Sequence, residues 1–156
     1  MNNKKLKIYF ADFWHNFQFE DNYFYHLLSS EYDVEVTPNN PDLLFHSVDY
    51  LKKNEYREFQ NTNTKKIFYT GENIIPDFNK TDYSFSFADD LGPNNYRLPL
   101  WVLFINWFNL KNNNLRDPSF LIPINKLKSF DYRNNLVKPF FCSFIASKPT
   151  GRRIDF

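Results

Sequence analysis

One short turn holds the residues best suited to chemistry. Residues 70–73, Thr-Gly-Glu-Asn, place a carboxylate directly after an apolar run rich in β-branched and aromatic residues. Gly71 permits a positive φ and a close approach of ligand to backbone, while the Asn73 amide offers donors and an acceptor. As a general base, Glu72 needs hydrogen-bond reach of about 2.6–3.2 Å to a hydroxyl and partial burial among aromatic rings to raise its pKa. Capping of a following turn, or a surface ion pair, is the alternative role.

The elements around this turn predict an α/β fold. Strand-like runs alternate with helical ones, which favours a Rossmann-like, mostly parallel sheet with helices on both faces. The predicted strands are 5–10, 32–37, 43–48, 65–70 and 83–87; the predicted helices are 22–30, capped by Asp21 or Asn22, and 48–60, capped by Asp49. Ligands of open α/β sheets gather beyond the carboxyl ends of the strands, where Glu72 would lie.

The second half of the chain combines two apolar segments with a long polar one. Residues 98–109 are apolar nearly all round, which predicts a helix buried from more than one side. Residues 111–138 are polar and irregular. Residues 139–146, with Cys142 among them, predict a buried strand, and residues 147–156 resemble a loop and the first turn of a helix.

Composition excludes several classes of protein. The 156 residues favour one domain, and 19 basic against 18 acidic residues leave a net charge of +1, which argues against nucleic acid as a partner. Cys142 is the single cysteine, so no intramolecular disulfide forms and a reducing cytoplasm is expected. No apolar window reaches the 18 or more residues of a membrane span.

His15, His26 and His46 lack metal-ligand spacing and are expected to be surface or hydrogen-bonded histidines.

A family resemblance connects the turn to a specific chemistry. FYTGENIIPDFNKTDYSFSF at 68–87, followed by RLPLW at 97–101, resembles the N-terminal hallmark of glycosyltransferase family 10, the alpha-1,3/1,4-fucosyltransferases. ADFW at 11–14 and CSFIASKP at 142–149 are similar to two further segments of that family. The resemblance spans nearly the whole chain.

The resemblance implies a GT-B architecture, in which an acceptor domain faces a domain that binds GDP-fucose. Residues 1–139 would be the acceptor-side α/β domain, and residues 140–156 the start of the connection to a donor domain that this sequence lacks. Glu72 matches the glutamate that deprotonates the acceptor hydroxyl, usually the 3-OH of N-acetylglucosamine, for an inverting transfer. GDP-fucose is the donor substrate, and neither a metal nor a cofactor is implied.

Further residues are candidates for binding the substrates. Gly71 and Asn73 flank the base, and Asp12, Trp14 and His15 follow the first strand, where they either line the acceptor cleft or pack in the core or on the surface. Arg153, with Arg152 as the alternate, matches the cation that contacts the donor diphosphate. A location at the inner face of the membrane, by peripheral association, is compatible with this assignment.

Two departures from the family pattern leave alternatives open. Lys148 replaces the family's usual Asn, and the Asp-Tyr-x-Thr-Glu-Lys signature that holds the nucleotide sugar is absent from the sequence. Whether this chain alone is an enzyme is therefore undecided. The alternative function is a non-catalytic carbohydrate-binding or interaction domain.

Overall fold

The computed structural model describes residues 4–49, 53–111 and 114–128, and the chain divides into two compact units, 1–118 and 119–156. The first unit holds one sheet of six parallel strands in the order β2-β1-β3-β4-β5-β6. The strands are β1 Lys5–Ala11, β2 Asp33–Val36, β3 Leu43–His46, β4 Lys65–Tyr69, β5 Tyr83–Ser86 and β6 Asn95–Arg97. The predicted α/β class is confirmed.

Both faces of the sheet carry a core, because side chains alternate along each strand. On one face, Ile8 and Phe10 of β1 pack in a cluster with Phe24 of helix α1, Tyr23–Ser29. On the other face, Leu44 packs with Phe59 of a 3-10 helix, Glu55–Phe59. Burying each large apolar side chain contributes about 1.5–3 kcal/mol, so these clusters hold the sheet between its helical layers.

Helix α1 begins where the sequence predicts it. The Asn22 side-chain oxygen accepts a hydrogen bond from the Tyr25 amide at 3.0 Å, which satisfies one donor of the first turn. The helix ends at Ser29. It forms the crossover between β1 and β2, and its buried residue, Phe24, lies at the centre of the first core cluster.

The prediction of an α-helix over 48–60 is wrong for the residues of that range that the structure describes. Only the 3-10 helix at 55–59 forms, and Asn54 before it adopts a left-handed conformation with φ 54°, which breaks any regular helix. The Asp49 carboxylate accepts hydrogen bonds from the amides of Lys53 at 2.8 Å and Asn54 at 2.9 Å. Asp49 therefore stabilises a turn.

The predicted buried helix over 98–109 is also wrong. Pro99 is extended, a 3-10 helix spans Leu100–Phe104, and Ile105 is extended again and bridges to Arg116. Trp101, Phe104 and Trp107 are exposed. The segment is apolar nearly all round, but its backbone is extended at Pro99 and at Ile105. Only residues 100–104 between them are helical.

Strand β6 is an element that the sequence did not predict. The Asn95 side-chain oxygen accepts hydrogen bonds from the hydroxyls of Ser84 and Ser86, both at 2.7 Å, and its amide donates to the Ala88 carbonyl at 2.9 Å. These side-chain hydrogen bonds attach a short polar segment to β5 and to the residues just after it. Residues 95–97 therefore form a strand without any apolar pattern.

The remaining described elements are short. They are the 3-10 turn Pro118–Phe120 and the helix α2, Ile124–Lys128. None of the helices in the described ranges combines the length and hydropathy needed to cross a membrane. The predicted strand at 139–146 with Cys142, the domain boundary after residue 139, and Lys148, Arg152 and Arg153 lie outside the described residues.

Candidate active site

The Glu72 turn is fixed by the residue that follows β4. The Thr70 amide donates to the Phe85 carbonyl at 3.1 Å, which continues the ladder between β4 and β5. The Thr70 side-chain oxygen accepts the Glu72 amide at 3.0 Å, and Thr70 is almost fully buried. The Ile74 amide then donates to the Glu72 carbonyl at 2.8 Å. The backbone that carries the carboxylate is thus anchored to the sheet.

The Glu72 side chain is exposed at the carboxyl edge of the sheet. The expectation of partial burial among aromatic rings is wrong, because Tyr69 lies in the core and Phe78 is itself exposed. Among the residues that the structure describes, the carboxylate has no hydrogen-bond or ion-pair partner. Both of its oxygens are available to accept a proton or a hydrogen bond from a hydroxyl group.

Packing leaves little room for a side chain at Gly71. Its φ is outside the left-handed range, so the positive φ that a glycine permits is not used at this position. A Cβ at this position would lie 3.2 Å from Leu100 Cδ1 and 3.3 Å from the Tyr69 hydroxyl oxygen. The close approach that a glycine allows is therefore made by two of the protein's own side chains.

A pocket adjoins this turn. Its volume is about 440 Å³, within the range of small-molecule sites, about 300–1,000 Å³. Tyr69 and Leu100, the two side chains that a Cβ at Gly71 would approach, line the pocket, whereas Gly71, Glu72 and Asn73 do not. The pocket is lined by residues 21–24 and His26 at helix α1 and by residues of the 100–108 segment.

The predicted residue Trp14 lines this pocket. Its side chain is 47% exposed, and its ring meets those of Phe13 at 5.5 Å and Phe17 at 5.0 Å between centroids. His15 is exposed, does not line the pocket, and places Nδ1 2.7 Å from the Asn16 side-chain oxygen. Asn73 is exposed beside Glu72.

Asp12 has a structural task at the end of β1. Its backbone is left-handed, with φ 59°, and its side-chain oxygens accept the amides of Glu55 at 2.9 Å and Tyr56 at 3.0 Å. Burial raises the pKa of this carboxyl group, and the two amide hydrogen bonds oppose that rise. Asp12 does not line the pocket, and its role as a substrate ligand stays a prediction.

Sequence reasoning missed a polar pair in the pocket. His26 Nε2 donates a hydrogen bond to Asp21 Oδ1 at 2.9 Å, and both residues line the pocket wall on the α1 side. The two residues flank the Asn22 cap, one just before helix α1 and one inside it. This spacing is the only sequence signal that could have indicated the pair.

His46 departs from the expectation for histidines. It is 5% exposed at the end of β3, its Nε2 has no hydrogen-bond partner among the described residues, and its ring stacks on Tyr56 at 5.1 Å. Burial lowers the pKa of this histidine to about 4, and the charge of Lys66 adds to that effect. The described residues contain no cluster of three or more His, Cys, Asp or Glu placed to hold a metal ion.

The chain is similar to known fucosyltransferases. Residues 8–104 match the family model described as "Alpha-(1,3)-fucosyltransferase FucT N-terminal domain". Alpha-(1,3)-fucosyltransferase FucT of Helicobacter pylori is 29% identical over 170 aligned positions, which cover 94% of this chain and 35% of that protein. The chain thus spans about a third of the length of that relative.

Solved structures agree with this match. A crystal structure of an alpha1,3-fucosyltransferase has a TM-score of 0.54 and 28% identity, covering 65% of this chain and 30% of the other. A crystal structure of alpha1,3-fucosyltransferase with GDP-fucose has a TM-score of 0.50 and 27% identity, covering 79% and 37%. The family model matches more than half of the sequence. The chain therefore belongs to the alpha-(1,3)-fucosyltransferase FucT N-terminal domain family.

Proposed function

We propose that this chain is the acceptor-side domain of an inverting fucosyltransferase of glycosyltransferase family 10 with the GT-B architecture. Its substrates would be GDP-fucose and a glycan that contains N-acetylglucosamine. The observation that carries the proposal is the exposed Glu72 carboxylate, which has no partner among the described residues and follows β4 at the carboxyl end of a parallel sheet. Membership of the family and the similarity to a fucosyltransferase solved with GDP-fucose support it.

The proposed reaction is a single displacement. The acceptor hydroxyl oxygen attacks the anomeric carbon of fucose while the bond from that carbon to the GDP oxygen breaks, and the electron pair leaves with the diphosphate. Glu72 takes the hydroxyl proton as the new bond forms, so the carboxylate becomes a carboxylic acid. Attack opposite the leaving group inverts the configuration at the anomeric carbon.

The remaining predicted residues take supporting roles in this proposal. Gly71 and Asn73 flank the base, and Trp14 offers a flat apolar face to the acceptor sugar. Asp12 and His15, which follow β1, would bind the acceptor as well. Arg153 or Arg152 would stabilise the charge that develops on the departing diphosphate. Transfer would take place in the cytoplasm or at the inner face of a membrane, and no cofactor is needed.

The test uses a fusion protein. Residues 1–156 are joined to the part of the Helicobacter pylori relative that this chain does not cover, and fucose transfer from GDP-fucose to N-acetyllactosamine is measured. Glu72→Gln should lower the transfer rate by about 10²–10⁴-fold, the usual contribution of a general base. Glu31→Gln, an exposed glutamate beyond the end of α1, is the matched control and should leave the rate unchanged.

Two results would contradict the proposal. One is equal transfer by the Glu72→Gln and parent fusions. The other is an inactive fusion that still binds GDP, since GDP binding shows that the donor part has folded. Glycan binding without transfer would then favour the second candidate, a carbohydrate-binding domain, for which the half-exposed Trp14 in the pocket is the supporting observation.

A further inference from the structure

We infer that three exposed aromatic residues, Trp101, Phe104 and Trp107, form a docking site for an anionic lipid surface. This group, the aromatic patch, belongs to the first compact unit and follows strand β6. The inference goes beyond the proposed reaction, because it involves neither Glu72 nor a sugar. It names the part of the chain that would touch a membrane and the lipid chemistry that would hold it there.

The 3-10 helix Leu100–Phe104 turns two of these rings toward solvent. Such a helix has three residues per turn, so Trp101 and Phe104, three positions apart, project from the same side. The intervening Val102 and Leu103 pack against the first core cluster instead. Trp101 is therefore 52% exposed and Phe104 56% exposed, although both are large apolar residues.

Trp107 completes the aromatic patch and is held in place. Its ring centroid lies 6.5 Å from that of Trp101, and its indole N–H donates to the Val102 carbonyl at 2.8 Å. Because this donor is already bonded, the exposed part of the Trp107 ring is apolar. The Trp101 indole N–H has no hydrogen-bond partner among the described residues and is available to a lipid headgroup. Tryptophan rings are enriched at membrane–water interfaces because they combine an apolar body with one polar atom.

The charges around the aromatic patch favour an anionic surface. Residues 91–116 include Arg97, Lys111 and Arg116 but no Asp or Glu, and Asp117 ends this acid-free stretch. Lys111 and Arg116 are exposed and have no ion-pair partner in the part of the chain that the structure describes, whereas Arg97 is paired with an aspartate. Each cation close to an anionic membrane adds to the attraction.

Hydrogen bonds hold the two free cations beside the aromatic patch. The Arg116 amide donates to the Phe104 carbonyl, and the Arg116 carbonyl accepts the Asn106 amide, both at 2.8 Å. The Asn106 side-chain oxygen accepts the Leu110 amide at 2.8 Å, which closes the turn that precedes Lys111. An apolar centre with cations around it is the arrangement by which surface segments bind the headgroup region of anionic bilayers.

The size of the aromatic patch favours a lipid surface over a folded protein. A stable protein–protein interface takes about 20–30 residues from each partner. Three rings and two cations fall well short of that, but a bilayer is bound by a few such rings and charges. A second copy of this chain in a symmetric contact would also bring its own Lys111 and Arg116 against those of the first.

The test is co-sedimentation of the 156-residue chain with lipid vesicles. Partitioning to vesicles of equal parts phosphatidylcholine and phosphatidylglycerol should be about 10-fold stronger than to vesicles of phosphatidylcholine alone. Trp101→Ala and Phe104→Ala should each weaken binding to the anionic vesicles by about 5–10-fold, since each removes a half-exposed ring. Lys111→Gln and Arg116→Gln should each weaken it by about 5-fold, and high salt should remove the difference between the two kinds of vesicle.

A second measurement reports contact with the acyl chains. Lipids brominated on their acyl chains quench a tryptophan that reaches them, so they should quench the fluorescence of the bound protein. Trp101→Phe keeps a ring in the aromatic patch and should bind nearly as well, but it should lose part of this quenching. Unchanged quenching in Trp101→Phe would overturn the assigned contact.

Two exposed residues at the amino ends of the strands are matched controls. Tyr83 begins β5 and is 49% exposed, and Lys4 is exposed just before β1. Because the strands are parallel, these residues lie at the sheet edge opposite to the one where β6 leads into the aromatic patch. Tyr83→Ala and Lys4→Gln should therefore leave binding to both kinds of vesicle unchanged. Retained NMR spectra show that each variant is folded.

Three results would overturn the inference. They are no sedimentation with the anionic vesicles, equal partitioning to the two kinds of vesicle, and variants of the aromatic patch that bind like the controls. A chain that dimerises in sedimentation velocity, becomes monomeric with Trp101→Ala and ignores vesicles would show that the aromatic patch contacts a second copy instead. Neither Glu72 nor a sugar enters these measurements, so the inference and the proposed function fail separately.

Discussion

The hydroxyl oxygen of the buried Thr70 lies 3.0 Å from the backbone nitrogen of Glu72 and accepts its hydrogen bond. The residue that follows β4 therefore sets the position of the peptide that carries the candidate base. Because Thr70 is also bonded to the Phe85 carbonyl through its own amide, the turn moves with the sheet. In the proposed reaction, Thr70 would act through Glu72 as a positioning residue.

Replacement of Thr70 tests this relationship. Thr70→Val keeps the shape but leaves the Glu72 amide without its partner, at a cost of about 1–3 kcal/mol, so kcat of the fusion protein should fall about 10-fold with KM little changed. Thr70→Ser restores the acceptor oxygen and should recover most of the rate. Hydrogen exchange of the Glu72 amide should be faster in the valine variant. Equal exchange in the three proteins would contradict the assigned role.

Gly71 should not tolerate a side chain. In Gly71→Ala, Leu100 and the Tyr69 hydroxyl must shift by a few tenths of an ångström, and the crowding should lower the free energy of unfolding by about 1–3 kcal/mol. Urea unfolding of the 156-residue chain measures this change. Leu100→Val in the same chain removes the closest contact and should recover part of the loss. No recovery would show that the loss does not arise from the contact with Leu100.

Stability should fall as the pH decreases from 7 to 4 because of His46. The folded protein keeps this histidine neutral, with a pKa of about 4, whereas the unfolded chain binds a proton near pH 6.5. Between these values the unfolded state binds more protons than the folded state. The free energy of unfolding therefore falls as the pH falls, by about 3 kcal/mol when pH 4 is reached. Urea midpoints at pH 7 and pH 5 measure the first, larger part of this change.

Two variants isolate the histidine effect. His46→Phe removes the titrating group while keeping an aromatic ring to stack on Tyr56, and should flatten the dependence between pH 7 and 5. His15→Gln removes an exposed histidine and should leave the dependence as it is. An unchanged pH dependence in the His46→Phe variant would show that other groups cause it.

The sequence was informative where local chemistry decides the structure. The runs that form β1, β3, β4 and β5 are rich in apolar and aromatic residues, and Asn22 caps α1 as expected. The position of Glu72 after β4 follows from the same local pattern. These features need only the period of the side chains and the properties of single residues.

Features set by distant contacts could not be predicted. The left-handed backbone of Asp12 is accompanied by hydrogen bonds to amides 43 and 44 residues away, and no local pattern indicates them. Strand β6 depends on Asn95 and two serines of β5, and the 98–109 segment on extended residues at both of its ends. The pocket was missed for the same reason, since it joins α1 to residues some eighty positions later.

The hydrogen bonds of the Asn95 side chain bear on aggregation of the protein at high concentration. An exposed edge strand is a template on which a second molecule can add its own strand. Here β6 is only three residues long, Asn95 directs its side-chain hydrogen bonds to β5 and residue 88, and Arg97 is paired with Asp89. A second molecule could pair with only a short stretch of backbone here. We therefore expect this edge of the sheet to resist aggregation by strand addition.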